Sequence, residues 1–386
     1  MIHRMLSDKI RQMAAKMPVI SITGPRQSGK TVLARELFSE LPYVNLENLE
    51  QRAFALNDPA GFIRSYAEGA VIDEAQYAPD LFSYIQVRVD ETRQNGRYVL
   101  TGSQHFQLTE RVSQSLAGRA INFYLLPFSH SELHTAGWLP EDYEQLIVKG
   151  YYPRIYDQEL EATDFYPSYI ENYVERDARQ MINIMDLGKF QLFIRLCAAL
   201  SGQLINYSSL ANEVGTDAST AKRWLHLLES SFIIFLLQPY YRNYNKRLVK
   251  TPKLYFYDTG LACSLLGIRS VEELQASYRK GAFFENFVIA ETYKQFYNRG
   301  QRPPCYFWRD NNGNEVDLLI ESGGKLFPVE IKSGRTIHQE FFKNIQYFNK
   351  IAENAEDQGR IVYGGDLQQL RSQGHVYGWR DWEIGH

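Results

Sequence analysis

The run of residues 24–31, Gly-Pro-Arg-Gln-Ser-Gly-Lys-Thr, fills every fixed position of the phosphate-loop pattern G-x-x-x-x-G-K-[ST]. It stands between an apolar stretch, Val19 to Ile22, and an amphipathic one, Val32 to Phe38. Glycines let backbone N–H groups turn inward around phosphate oxygens, and the following helix presents its positive end. Lys30 is expected to reach the β- and γ-phosphates, and the Thr31 hydroxyl to bind Mg²⁺. The motif predicts a nucleoside triphosphate site made by Gly24, Gln27, Ser28, Gly29, Lys30 and Thr31.

An apolar strand that ends in two acids follows this segment. After a β-like run from Tyr43 to Leu46 comes the stretch 69–74, Gly-Ala-Val-Ile-Asp-Glu, which has the form of a Walker B motif. An Asp at a strand tip can hold the Mg²⁺ shell, and an adjacent Glu can polarise an attacking water. We assign the first role to Asp73 and the second to Glu74. An acid pair at a strand end is also common as a solvated turn, but its place after a phosphate loop favours Walker B.

Two further residues are candidates for contact with the γ-phosphate. A third β-like run, Arg97 to Leu100, ends in small polar residues at the edge where open α/β sheets bind ligands. Among them, Ser103 is a candidate sensor, and a helix cap is the alternative. Arg119 precedes another β-like run, and a guanidinium can neutralise charge that grows on the phosphoryl oxygens. It is a candidate arginine finger or sensor, with a surface salt bridge as the alternative.

Composition limits the classes of protein to consider. The 386 residues predict two or three domains, and 44% hydrophobic and 23% charged content is typical of a folded globular chain. A net charge of −3 gives no overall attraction to nucleic acid, so such a contact needs a local basic patch. The start lacks a signal-peptide core and the longest apolar run is Phe232 to Leu237, so we expect a cytoplasmic protein without membrane contact. Three scattered cysteines predict free core thiols and exclude a cysteine zinc cluster: Cys197, Cys263 and Cys305.

The alternation of apolar strands with helical segments predicts an α/β fold with a parallel, helix-covered sheet. The motif set GPRQSGKT, VIDEAQ, LTGSQ and LAGR resembles the prokaryotic AAA-type ATPases that carry an uncharacterised C-terminal domain. That resemblance implies an extra-strand P-loop fold, with ATP and Mg²⁺ as ligands, and hydrolysis by a water that Glu74 activates. It implies no particular substrate.

The middle of the chain predicts a helix-turn-helix. Helical runs at 192–200, 207–214 and 217–229 enclose a turn at Gly215, and β-rich runs at 232–237 and 254–257 would form a wing. In a DNA reader the second helix of the motif enters the major groove, which exposes Lys222 and Arg223. A basic strip with interleaved tyrosines follows and could grip DNA or RNA: Arg242, Lys246, Arg247, Lys250 and Lys253. A lid or a protein-docking winged helix is the alternative.

Acids and a lysine in the last third have the arrangement E…D…E-x-K. Residues two apart on a strand share a face, so Glu330 and Lys332 lie together, and Asp317 can meet them from the neighbouring strand. Two carboxylates suit Mg²⁺ or Mn²⁺, and Lys332 can orient or deprotonate a water for attack on phosphorus. Glu285, on a predicted helix, would complete the metal shell. A structural charge network is the alternative.

This pattern resembles the restriction-endonuclease-like superfamily, although Val316 stands where the P-D-(D/E)-x-K signature has proline. The sequence thus predicts an AAA-type P-loop ATPase domain at 1–145, a helical winged-helix domain at 146–253 and a mixed α/β nuclease-like domain at 254–386. The leading hypothesis is an ATP-hydrolysing switch that controls a nuclease-like, nucleic-acid-associated domain. The alternative is an ATP-dependent adaptor that binds a protein partner and has an inactive nuclease-like domain. If Arg119 acts in trans, the chain forms a homo-oligomer.

Overall fold

A computed structural model describes residues 2–103, 115–175, 178, 186–240 and 251–384. The chain divides into two compact units. The N-terminal unit comprises residues up to Ala136 together with 230–232 and 296–301, and the C-terminal unit comprises the rest. The described residues form a five-stranded sheet in the first unit and an eight-stranded sheet in the second.

The N-terminal unit alternates helices and strands. Its helices are α1 (Leu6–Ala14), α2 (Lys30–Leu37), α3 (Leu49–Asn57), α4 (Pro59–Ser65), α5 (Leu81–Thr92) and α6 (His130–Thr135). Its strands are β1 (Val19–Thr23), β2 (Tyr43–Asn45), β3 (Ala70–Asp73), β4 (Tyr98–Gly102) and β5 (Ala120–Tyr124). They pair in the order β2-β3-β4-β1-β5, and every pair is parallel. This confirms the predicted parallel α/β sheet.

The register of the parallel strands decides which residues meet. On β1, Val19 lies opposite both Tyr98 of β4 and Ala120 of β5, so the amino ends of these strands share one edge. At the other edge, Thr23 and Asp73 are the last residues of their strands. Apolar clusters lie on both faces of the sheet, as expected for parallel strands that helices cover.

The C-terminal unit is more helical at its start and more β-rich at its end. Its helices are α7 (Tyr143–Lys149), α8 (Pro153–Asp157), α9 (Ala162–Tyr169), α10 (Leu187–Ala199), α11 (Tyr207–Val214), α12 (Ala218–Ser230), α13 (Thr259–Leu265), α14 (Val271–Ala276), α15 (Lys280–Asn298) and α16 (Lys343–Ala352). Its strands are β6 (Ile234–Pro239), β7 (Lys253–Phe256), β8 (Cys305–Arg309), β9 (Glu315–Ser322), β10 (Lys325–Lys332), β11 (Arg360–Tyr363), β12 (Gln369–Arg371) and β13 (Gly374–Gly378). They pair in the order β12-β13-β11-β10-β9-β8-β6-β7.

The helices of the predicted helix-turn-helix are present. Helix α10 begins earlier than expected, because the Asp186 side chain caps it by accepting a hydrogen bond from the Lys189 backbone N–H at 3.0 Å. Strands β6 and β7 pair antiparallel, as a wing would. However, β6 also pairs with β8 through Gln238 and Tyr306, so this hairpin belongs to the eight-stranded sheet. The winged helix and the boundary near residue 253 stay predictions.

All three cysteines are free and buried, which confirms the predicted core thiols. Burial raises the pKa of each thiol, consistent with inert core groups. Within the described ranges, no helix combines the length and the apolar character that crossing a membrane requires.

Candidate functional site

The loop between β1 and α2 has the backbone that a phosphate loop requires. Gly29 has a φ of +94°, a left-handed conformation that favours glycine, and it caps the N-terminus of α2. At Gly24, a Cβ atom would lie 2.1 Å from the Leu125 carbonyl oxygen, so only glycine fits there. Both fixed glycines of the motif are therefore explained by the structure.

Lys30 begins α2 and its side chain folds back over the start of the loop. Its Nζ donates hydrogen bonds to the carbonyl oxygens of Gly24 at 2.9 Å and of Pro25 at 2.7 Å. The residue is only 6% exposed, so the ammonium is held inside the loop. Phosphate oxygens are stronger acceptors than carbonyls, so a triphosphate can take over these bonds.

Asp73 is surrounded by three hydroxyl donors. The Thr31 hydroxyl donates to Asp73 Oδ2 at 2.8 Å, and the Tyr43 hydroxyl donates to the same oxygen at 2.7 Å. The Thr101 hydroxyl donates to Oδ1. The structure therefore brings together Thr31 and Asp73, the two residues predicted to share Mg²⁺. The Tyr43 hydroxyl was not predicted, because β2 offered only a short apolar pattern; burial and the Asp73 charge raise its pKa above the usual range.

Glu74 follows β3 in a left-handed conformation, with a φ of +52°, and such strained residues cluster at functional sites. Its Oε2 accepts hydrogen bonds from the Ser103 hydroxyl at 3.1 Å and from the Ser103 backbone N–H at 3.4 Å. The Gln76 side-chain amide donates to the same oxygen. Ser103 therefore lies beside the predicted catalytic acid, at the carboxyl edge of the sheet.

Arg119 lies at the opposite edge of the sheet from the phosphate loop. It directly precedes β5, and its carbonyl accepts a hydrogen bond from Val19 N at 3.1 Å, at the amino end of β1. Its guanidinium forms two bonds with Asp90, of 2.6 and 2.7 Å, and one with the Ala117 carbonyl at 3.0 Å. It therefore does not reach the phosphate loop of its own chain. A role as arginine finger would need a second subunit.

The C-terminal unit brings the predicted acids and lysine together. Lys332 Nζ donates to Glu330 Oε1 at 2.6 Å and lies 3.8 Å from Asp317 Oδ2. The same Asp317 oxygen accepts a hydrogen bond from the Ile331 backbone N–H at 2.8 Å, which locks β9 to β10 at this point. Glu285 approaches from α15. Together with Glu315 these acids form what we call the carboxylate cluster: Glu285, Glu315, Asp317 and Glu330.

Two residues that contact the carboxylate cluster were not predicted to lie there. Lys253, at the start of β7, is only 4% exposed and donates to Glu285 Oε1 at 3.1 Å, and it also forms an ion pair with Glu315. The Tyr255 hydroxyl donates to Glu285 as well. The sequence placed Lys253 in a basic strip that could contact nucleic acid, whereas in the structure it lies buried at the start of β7.

Burial favours the protonated form of two acids in the carboxylate cluster, Glu330 and Glu285. It raises the pKa of Glu330 to about 8 and that of Glu285 to about 7, and the nearby Asp317 charge adds to both shifts. Burial opposes the charged form of Lys332, yet the surrounding acids raise its pKa. Glu330 Oε2 is buried and accepts no hydrogen bond from the described residues. Among these residues, no three His, Cys, Asp or Glu side chains are arranged to hold a metal ion.

The predicted nucleic-acid residues are only partly described. On α12, Lys222 and Arg223 are exposed, while Trp224 packs in the core against Phe190 and Phe193. Arg223 also donates to the Thr220 hydroxyl at 3.0 Å. Four of the five predicted strip residues lie outside the described residues: Arg242, Lys246, Arg247 and Lys250.

Three family models match the chain: an AAA domain at residues 16–134, a domain of unknown function (DUF8612) at 140–272 and another (DUF4143) at 280–382. The uncharacterised proteins Rv2008c of Mycobacterium tuberculosis and Mb2031c of Mycobacterium bovis are each 30% identical over 331 residues, which covers 85% of this chain and 73% of theirs. The Walker-type ATPase PABY2304 of Pyrococcus abyssi is 15% identical, with a TM-score of 0.46 over 68% of this chain and 95% of that protein. The restriction-endonuclease-like resemblance stays a prediction.

Proposed function

This chain belongs to the same family as the mycobacterial proteins Rv2008c and Mb2031c and carries an AAA-type ATPase domain, and from that premise we propose that it is an ATP-hydrolysing switch. The observation that carries the proposal is the meeting of Thr31, Asp73, Glu74 and Ser103 beside the phosphate loop.

Each of these residues takes one task. Backbone N–H groups of the loop, Gln27 to Gly29 included, bind the phosphate oxygens, and Lys30 exchanges its carbonyl partners for the β- and γ-phosphates. Thr31 and Asp73 would hold Mg²⁺, which neutralises charge on the phosphates. Glu74 accepts the proton of the attacking water, and Ser103 orients the Glu74 carboxylate.

Phosphate release from ATP in the presence of Mg²⁺ tests this assignment. Glu74→Gln keeps the size of the side chain but cannot accept a proton, so we expect ATP binding to remain and turnover to fall by about 10²–10⁴-fold. Lys30→Ala should abolish ATP binding. Glu50→Gln, which changes an exposed acid at the start of α3, is the matched control and should hydrolyse normally. Normal turnover by Glu74→Gln would remove its role as the base.

A second candidate function concerns the carboxylate cluster of the C-terminal unit. Its support is the buried Glu330 oxygen that accepts no hydrogen bond from the described residues, together with the meeting of Asp317, Glu330 and Lys332. Asp317 and Glu330 would hold Mg²⁺ or Mn²⁺, which would stabilise charge that develops on a phosphodiester. Lys332 would orient the attacking water. Lys222 and Arg223 would contact the DNA or RNA backbone.

Incubation of the full chain with DNA or RNA and Mn²⁺, with and without ATP, tests the second candidate. Lys332→Met should abolish cleavage, whereas Lys325→Met, an exposed lysine on the same strand, should not. Cleavage that survives Lys332→Met would indicate another site.

The rival hypothesis is an adaptor for a protein partner. Its support is Lys253, whose buried ammonium already neutralises Glu285 and Glu315. The adaptor predicts no cleavage by the wild type.

A further inference from the structure

Arg4 connects the phosphate loop to the segment that follows β5. Its guanidinium donates to the Ser28 carbonyl oxygen at 2.7 Å, to the Leu126 carbonyl oxygen at 2.6 Å and to Glu132 Oε1 at 3.0 Å. The residue is 7% exposed, and its guanidinium lies 5.0 Å from the centre of the Phe128 ring. The planar guanidinium of one buried side chain thus donates to three separate acceptors.

The contact with Ser28 determines the direction of the next backbone amide. In a trans peptide the C=O and N–H groups point in opposite directions, and none of the described peptide bonds is cis. A Ser28 carbonyl fixed on Arg4 therefore turns the Gly29 N–H away from Arg4. Gly29 immediately precedes Lys30, so this N–H belongs to the set of donors that a phosphate loop offers.

We propose that Arg4 is a positioning residue for ATP, which holds the Gly29 N–H ready for the phosphates. The inference rests on the proposed ATP site. Preorganised donors bind more tightly because the cost of ordering them is met during folding. Without the guanidinium, the Ser28–Gly29 peptide can rotate, and the loop loses a fixed donor.

A substitution at Glu132 distinguishes a positioning role of Arg4 from a role in stabilising the fold. It is 1% exposed, pairs with Arg4, and accepts hydrogen bonds from the backbone N–H groups of Met5 at 2.9 Å and Ser129 at 2.8 Å. No hydrogen bond joins it to the phosphate loop among the described residues. Glu132→Gln keeps the volume of the side chain and leaves the Arg4 contact with Ser28 in place, so it weakens the fold without freeing the Gly29 amide.

The test measures ATP affinity by titration and stability by thermal unfolding without nucleotide. Arg4→Lys keeps the charge but cannot donate to three acceptors. We expect the Kd for ATP to rise about tenfold, which corresponds to the free energy of one hydrogen bond to a charged group. Glu132→Gln should lower the unfolding temperature and leave the Kd unchanged. The double variant Arg4→Gln with Glu132→Gln avoids an unpaired buried charge and should also bind ATP weakly.

Wild-type affinity in both Arg4→Lys and the double variant would overturn the proposal, because Arg4 would then only stabilise the fold. Equal loss of affinity in Glu132→Gln would also overturn it. If the wild type itself binds no ATP, the proposed function fails, and this result is distinct from either of the other two.

Discussion

Asp73 and Glu74 are neighbours in sequence but have different surroundings. Asp73 accepts hydrogen bonds from the hydroxyls of Thr31, Tyr43 and Thr101, and its side chain is therefore held on both oxygens. Among the described residues, Glu74 accepts hydrogen bonds on Oε2 alone, from Ser103 and the Gln76 amide. The tightly held acid suits a metal ligand, and the acid held at one oxygen suits proton transfer.

The buried acids of the C-terminal unit predict a pH dependence of stability. Glu330 and Glu285 have pKa values of about 8 and about 7 in the folded chain, above the ordinary value of 4.5. Between pH 4.5 and 8 the unfolded chain therefore loses these protons first, so the free energy of unfolding falls as pH rises. Chemical unfolding at pH 5 and pH 8, without divalent cations, measures this. Glu330→Gln should show a smaller fall, and an equal fall would contradict the assignment.

At this scale the sequence predicted the residues that a motif defines. The phosphate loop has a fixed internal spacing, and Asp73 and Glu74 are recognisable as an acid pair at the end of an apolar strand. Tyr43 and Lys253 have no such spacing. Tyr43 reaches Asp73 from the neighbouring strand β2, and Lys253 on β7 reaches Glu285 on α15 and Glu315 on β9. Arg4 is 24 residues from its carbonyl partner Ser28 and 128 from Glu132, and nothing in a local pattern marks that distance.

At the scale of elements, strand alternation correctly predicted that Glu330 and Lys332 share a face. It could not predict that β7 would place Lys253 against Glu285 and Glu315, because Lys253 and Glu285 are 32 residues apart. The presence of Lys253 is the main difference between the observed carboxylate cluster and the predicted metal site. Its ammonium lies where its positive charge offsets Glu285 and Glu315.

Lys253→Met removes this buried positive charge. Leaving the two acids without their partner should cost about 3–5 kcal/mol of unfolding free energy. We expect Mn²⁺ to raise the unfolding temperature of the variant more than that of the wild type, because a cation can replace the ammonium. Thermal unfolding with and without Mn²⁺ measures both effects. Lys325→Met is the control, and a variant as stable as the wild type would contradict the role given to Lys253.

Helix α12 carries the described part of the predicted nucleic-acid surface. Lys222→Gln with Arg223→Gln removes two exposed charges, so the slope of log affinity against log salt should fall by up to about 2 if both contact phosphates. DNA binding measured over a range of salt concentrations tests this. Lys16→Gln, in the N-terminal unit, is the control. An unchanged slope would favour the protein-docking alternative.

For the whole molecule, the sequence predicted three domains, and that division stays a prediction. The contacts of the described chain give two units, since the hairpin of β6 and β7 joins the eight-stranded sheet through β8. Gln238 and Tyr306 meet in that pairing although α15 and two shorter helices lie between them in sequence. Strands that pair across such a long stretch of sequence leave no local sequence pattern. The parallel sheet of the N-terminal unit, in contrast, is predicted by the regular alternation of short strands and helices.

We propose that the nucleotide state of the N-terminal unit controls the C-terminal unit. Hydrogen exchange of the Glu74→Gln variant, compared between its ATP-bound and ADP-bound forms, tests this proposal, because the variant should bind ATP without consuming it. We expect amide exchange to differ between the two forms in peptides of the C-terminal unit, including those that carry the carboxylate cluster. Differences confined to the N-terminal unit would contradict it.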